Sequence, residues 1–262
     1  MGQKNEYLQR FFRNGKTVIL PIDHGIAIPV PGLERPGELI SATRDVVDGY
    51  VVNYGLAKAF GDELSGAGIC FRSDVYKPVH GDNADEGAYR VYGVEEALQV
   101  GASAVMNMLY LHHPNESAII RECADLIADC AAADLPVILE ALPYGIGRPE
   151  DYSLGNIGFT MRLAAELGAD VVKTAYPTGA SVGEFKELIE GCFVPVIVLG
   201  GASMGDDRAL LTMVKNAMDA GASGIAVGRN VWQHDNPAGI TRALNGIVHG
   251  GKSVGEALGC LD

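Results

Sequence analysis

Short apolar runs rich in β-branched residues recur along the chain. They lie at Thr17–Pro21, Gly49–Asn53, Gly68–Arg72, Ser103–Met108, Pro136–Glu140, Asp170–Lys173, Pro195–Leu199 and Gly224–Val227. The runs are continuous rather than alternating, the pattern of parallel strands covered on both faces. Between them the apolar positions switch to helical spacing, most clearly over Glu116–Ala132, Asn156–Leu167 and Asp206–Ala220. Eight strand–helix units at roughly 30-residue spacing predict an α/β fold, one (β/α)8 TIM barrel forming a single domain over residues 1–262. Three helix-to-strand junctions repeat one another, with Gly101, Gly168 and Gly221 each just past a helix and two residues before a strand. That is where a left-handed backbone ends a helix.

Two stretches lie outside this plan. Glu6–Arg13 is amphipathic and aromatic-rich, which predicts a short helix capping the barrel bottom. Ser73–Tyr92 reads as a long polar loop carrying Asp74, Lys77, His80 and Asp82. It lies on the catalytic side of a barrel, so it is read either as a lid or as a solvated insertion.

Composition narrows the function classes. Gly supplies 34 of 262 residues without a collagen-like period, a surplus that fits helix stops and close approach of backbone to ligand. A net charge of -13 argues against nucleic acid or an anionic membrane as partner, but leaves room for a small anion at a locally positive site. The five Cys have no metal-ligand spacing and are read as small buried hydrophobes of a reducing compartment. No apolar leader follows Met1–Glu6 and no apolar run approaches ~18 residues, so a cytoplasmic location is expected.

Barrel enzymes carry their chemistry where strands end. Lys173 closes an otherwise apolar strand, and lysine is rarely buried without a partner or a purpose. A desolvated amine there can attack a carbonyl and form a Schiff base, an electron sink for breaking a C–C bond. The alternative is a structural lysine paired to Asp23 or Glu140. Asp23 and His24 end the first strand, where a carboxylate can serve as a base and a histidine as a proton carrier. Gly200, Gly201 and Ser203 follow the seventh strand, and Gly228 and Arg229 the eighth. Barrels commonly bind phosphate between these two loops, although tight turns would also explain the glycines. His112 and His113 are adjacent and have no companion at metal-ligand spacing, so neither metal nor cofactor is expected. Lys58, Lys77 and Lys215 fall in helices or loops and are read as exposed.

With these residues in hand, the sequence resembles the archaeal-type class I aldolases of the DeoC/LacD-like group from about Gly15 to Leu258. The matching segments are Leu20–Gly25, Gly168–Thr174, Val198–Gly201 and Ala226–Asp235. The group includes class I fructose-bisphosphate aldolases, 2-amino-3,7-dideoxy-D-threo-hept-6-ulosonate synthases and the thiolase acting on phosphorylated autoinducer-2. The resemblance implies a Schiff-base lysine at Lys173, a catalytic Asp at Asp23 and phosphate binding at the Gly200–Ser203 and Gly228–Arg229 loops. It also implies homo-oligomers, often pentamer-based decamers. Aldolase members end the fifth strand with a Tyr-Pro-Arg-Gly-like turn whose Tyr handles proton transfer. Here the turn runs Glu140-Ala141-Leu142-Pro143-Tyr144-Gly145, with Leu142 at the Tyr position. The proton role then falls to Tyr144, Glu140 or His24.

The expected activity is a class I lyase on a phosphorylated ketose such as fructose 1,6-bisphosphate. Transaldolase and thiolase outcomes remain alternatives. A non-catalytic sugar-phosphate-binding barrel would keep the two glycine loops but has no need of an amine inside the barrel. A barrel isomerase would use a carboxylate base and no Schiff base.

Overall fold

The computed structural model describes residues 3–27, 31–77, 87–144 and 152–261. The strands are β1 (Thr17–Pro21), β2 (Gly49–Val52), β3 (Gly68–Arg72), β4 (Asp74–Lys77), β5 (Gly87–Arg90), β6 (Ala104–Leu111), β7 (Val137–Pro143), β8 (Val171–Thr174), β9 (Val196–Leu199) and β10 (Gly224–Ala226). All except β4 and β5 pair in parallel and close a barrel in the order β1-β2-β3-β6-β7-β8-β9-β10, with β10 returning to β1. This is a TIM barrel.

The helices are α1 (Gln3–Gln9), α2 (Pro36–Thr43), α3 (Tyr54–Ala59), α4 (Val94–Gln99), α5 (Glu116–Ala132), α6 (Leu154–Leu167), α7 (Val182–Glu190), α8 (Asp207–Asp219), α9 (Arg229–Trp232), α10 (Pro237–Val248) and α11 (Val254–Leu258). The larger ones wrap the barrel. No helix among the described residues is long and apolar enough to cross a membrane.

The continuous apolar runs are buried because each strand lies between the barrel interior and the helical layer. Gly101, Gly168 and Gly221 have φ of +71°, +109° and +99°, so the repeated glycines stop helices as their spacing predicts. β6 and β7 run three residues beyond their predicted ends, because the ladder continues through Leu111 and Pro143. Glu140 therefore lies inside its strand rather than at its end.

Four expectations need correction. The N-terminal helix spans Gln3–Gln9 and has no buried residue. The barrel bottom is filled instead by Phe11, which follows the helix and is fully buried beside Ile19, Val51, Cys70, Ile138 and Ile197. A Cβ on Gly49 or Gly68 would stand 2.7 Å from the Phe11 ring, so both strands need glycine there. The Ser73–Tyr92 segment is not a plain loop: β4 and β5 form an antiparallel hairpin. Asp74 at its root is buried rather than solvated, while His80 and Asp82 lie outside the described residues. Among the cysteines, Cys70, Cys123 and Cys130 are buried, with burial pushing each thiol up to about 12, but Cys192 and Cys260 are only half-buried. Lys58 is exposed, and Lys215 is half-buried against Asp219.

Candidate active site

Glu140 and Lys173 face one another across the β7–β8 ladder as register partners. The Lys173 Nζ lies 2.7 Å from Glu140 Oε1 and 4.0 Å from the Met106 Sδ. Both charged residues are buried, Lys173 at 4% and Glu140 at 7% exposure. Neither would be tolerated alone at that depth; together they offset each other's desolvation.

Arg72, the last residue of β3, joins this pair to the first strand. Its Nε donates to Asp23 Oδ2 at 2.7 Å, one terminal nitrogen reaches Asp74 Oδ1 at 3.3 Å, and the other contacts Glu140 Oε2. All five groups are buried. Burial opposes ionisation of Glu140, but the Lys173 ammonium and the Arg72 guanidinium outweigh it and hold the carboxyl down to about 2. At Asp74 burial prevails over Arg72, and the carboxyl rises to about 6. Its second oxygen accepts the Met108 backbone N–H at 2.8 Å, which fixes the hairpin root to the barrel. Asp23 is held from a second side, since the Asn53 amide donates to its backbone carbonyl at 2.8 Å. A cavity of about 330 Å³ is lined by Ile22, Gly25, Ile26, Asn53 and Leu56 among others, and none of the five charged residues of the network lines it.

His24 begins a one-turn 3-10 helix, its ring 6.0 Å from that of Trp232. Burial lowers its pKa against the opposing pull of Asp23, and Arg229 lowers it further. His24 is thus uncharged at neutral pH. Tyr144 follows β7 and is half-buried, its ring edge-on to His113 at 4.4 Å and to Tyr110 at 6.2 Å. The structure therefore brings Lys173, Glu140 and Asp23 into one ion network, sets His24 next to it in the chain, and packs Tyr144 in an aromatic cluster.

The two glycine loops are fastened together by Asn230. Its Nδ2 donates to the carbonyls of Gly200 and Ala202, each at 3.0 Å, and its Oδ1 accepts the Met204 N–H at 2.8 Å. A Cβ on Gly200 would meet the Val227 side chain at 2.7 Å, and Gly201 has φ of +66°. The glycines thus let the two loops close on one another. The Trp232 indole donates to the Pro21 carbonyl at 3.1 Å and ties α9 to the end of β1. Ser203 is exposed on the outer part of the loop. Arg229 is half-buried, without an ion pair or side-chain hydrogen bond among the described residues.

Sequence reasoning missed Arg72, Asp74 and Asn230 as members of the site. Arg72 does stand at a strand end, but its partners Asp23, just past β1, and Glu140, in β7, come to it only when the barrel closes. Asp74 was masked by its polar surroundings in the sequence. Asn230 lies within one of the motifs quoted above, yet nothing in the sequence identifies its three backbone partners.

This combination has one evident chemical use. A buried amine beside a carboxylate that accepts protons, with a second carboxylate oriented by a guanidinium, can form an imine and move a proton on its substrate. Residues 17–234 match the DeoC/LacD family of aldolases. The chain is 32% identical to a 2-amino-3,7-dideoxy-D-threo-hept-6-ulosonate synthase of Archaeoglobus fulgidus, over 97% of this chain and 94% of that one. It is 33% identical to a class 1 fructose-bisphosphate aldolase of Halobacterium salinarum, over 94% of this chain and 95% of that one. A crystal structure of an archaeal fructose 1,6-bisphosphate aldolase superposes with a TM-score of 0.85 at 30% identity, over 95% of this chain and all of the other. A second similar structure, with TM-score 0.85, 30% identity and the same coverage, holds its catalytic lysine covalently bound to the carbinolamine intermediate of the substrate. Barrel topology, the buried lysine network and these matches agree: the chain belongs to the DeoC/LacD family of aldolases.

Proposed function

We propose that this chain is a class I aldolase that cleaves or forms a C–C bond in a phosphorylated ketose, with fructose 1,6-bisphosphate as the reference substrate. The observation that carries the reading is the buried Lys173 amine, 2.7 Å from Glu140, in a network that also orients Asp23 through Arg72.

In this reading the substrate phosphate lies at the Gly200–Ser203 and Gly228–Arg229 loops, met by backbone N–H groups and the Arg229 guanidinium. Glu140 takes a proton from Lys173, and the free amine attacks the ketone carbon. The carbonyl oxygen leaves as water and an iminium remains. Asp23 takes the proton of the hydroxyl two carbons away from the iminium carbon. The C–C bonding pair moves into the iminium, giving an enamine and a free aldehyde. Protonation of the enamine carbon and hydrolysis then release the ketone fragment and Lys173. The iminium itself is the electron sink, so the scheme requires neither metal nor cofactor. Tyr144 and His24 remain candidates for proton transfer at the mouth. The same reading has the enzyme work in the cytoplasm in carbohydrate metabolism, as a homo-oligomer of single-barrel subunits.

The test is borohydride reduction in the presence of dihydroxyacetone phosphate, followed by mass measurement of the peptide that carries Lys173. Wild-type chain gains the reduced adduct on that peptide and Lys173→Met does not. An adduct that persists in Lys173→Met refutes the lysine assignment. The near-equal identity to a heptulosonate synthase favours a transaldolase outcome as the second reading, in which the enamine adds to another aldehyde. Product analysis with a second aldehyde distinguishes the two.

A further inference from the structure

The scheme above leaves one step without a donor. The enamine carbon must receive a proton; Glu140 has by then given its proton to the departing water, and Asp23, which carries the proton of the substrate hydroxyl, is turned towards Arg72. Asp74 has both oxygens committed, one to Arg72 and one to the Met108 N–H. A neutral acid near Lys173 is needed.

β6 supplies one. Met106 faces the barrel interior and its sulfur lies 4.0 Å from Lys173 Nζ. Strand residues two apart share a face, so Tyr110, four residues further on, stands on that same face nearer the mouth. Its cross-strand partner is Leu142, two residues past Glu140 on β7. Tyr110 is buried, and its hydroxyl has no hydrogen-bond partner among the described residues. A buried hydroxyl without a partner is costly, which asks for an explanation. The ring is fixed by stacking on His113 at 5.8 Å. Burial, with the charges of Glu140 and Asp74, pushes the phenol well above its ordinary value, so it stays protonated at any working pH.

We propose that the Tyr110 hydroxyl is the acid that protonates the enamine carbon, an inference that rests on the aldolase reading above. The enamine π pair takes the phenolic proton, and the nitrogen lone pair re-forms the iminium. The phenolate then takes back, through water, the proton that Asp23 removed from the substrate hydroxyl. The iminium is hydrolysed by the reverse of its formation, with Glu140 taking a proton from the adding water and returning it to the Lys173 nitrogen. The ketone leaves, with Lys173 again an ammonium, Asp23 and Glu140 carboxylates and Tyr110 a phenol. Atoms and charge balance, and no other reactant enters. The field of Glu140 and Asp74 that keeps the phenol neutral also makes the phenolate short-lived, so it recovers its proton before the ketone leaves.

The experiment separates this step from imine formation. Wild type and Tyr110→Phe are incubated with dihydroxyacetone phosphate in D2O, and two quantities are read: borohydride trapping on Lys173, and deuterium exchange at the ketone's α-carbon. Phe keeps the ring packed, and retained trapping certifies a folded, imine-competent site. The expected result is unchanged trapping with exchange at least ~100-fold slower, the scale of a lost general acid. Exchange within threefold of wild type overturns the proposal. Loss of trapping in Tyr110→Phe also overturns it, since the hydroxyl would then act before the enamine exists. If wild-type chain itself fails to trap, the aldolase reading falls and the role of Tyr110 falls with it.

Discussion

Glu140→Gln isolates one charge at the centre of the network. Gln keeps the shape of the protonated acid but cannot ionise. The Glu140 carboxyl sits at about 2 against an ordinary value of 4.5. At 1.36 kcal/mol per unit, its ionisation stabilises the folded state by about 3 kcal/mol. The pKa is depressed, so this contribution is complete above about 4.5 and is lost as the pH falls through about 2. Urea unfolding of both proteins from pH 7 to pH 2 gives the comparison. Glu140→Gln should be about 3 kcal/mol less stable from pH 7 down to about 5, and the gap should close towards pH 2. Taking the difference removes the titration of other carboxylates common to both chains. A gap that stays constant with pH, or one below ~1 kcal/mol at pH 7, would refute the claim that Lys173 and Arg72 hold this carboxylate ionised.

Other measurements address neighbouring groups. Asp74 is shifted the opposite way, from 3.8 to about 6, so folding is penalised once its unfolded form has ionised. Its contribution should fall by roughly 3 kcal/mol as pH rises from 4 to 6, and Asp74→Asn should remove that decline. Parallel stability curves for the two proteins would contradict it. Arg229→Ala should raise KM for a phosphorylated ketose about 10- to 100-fold with kcat little changed, the scale of one charge-assisted hydrogen bond. Unphosphorylated analogues should not distinguish the two proteins, and an unchanged KM would remove Arg229 from phosphate binding.

The parts of this molecule legible in its sequence are those set by local rules. Strand periodicity, the glycine helix stops and a lysine in an apolar run each depend on a few neighbouring residues. Barrel topology then brings Lys173, Glu140 and Asp23 together, since each stands at or near the carboxyl end of a strand. Arg72 was visible as a strand-end residue, but its role depends on partners up to 68 positions away. Asp74 opens a polar stretch, where acidic residues are usually solvated, and its burial depends on contacts with Arg72 and the Met108 N–H that the sequence does not show. Tyr110 was hidden in the opposite way, because an aromatic in a buried strand looks like ordinary core until its hydroxyl is found without a partner.

Phe11 has a consequence for traffic. With its ring wedged between Gly49 and Gly68 and a layer of apolar side chains above it, the barrel is a well with a floor. Whatever Lys173 captures must leave by the way it came. Two fragments made at that depth cannot depart through opposite doors, so the piece nearer the opening has to clear before the tethered one can follow. The order of product release is thus set at the end of the molecule farthest from the chemistry.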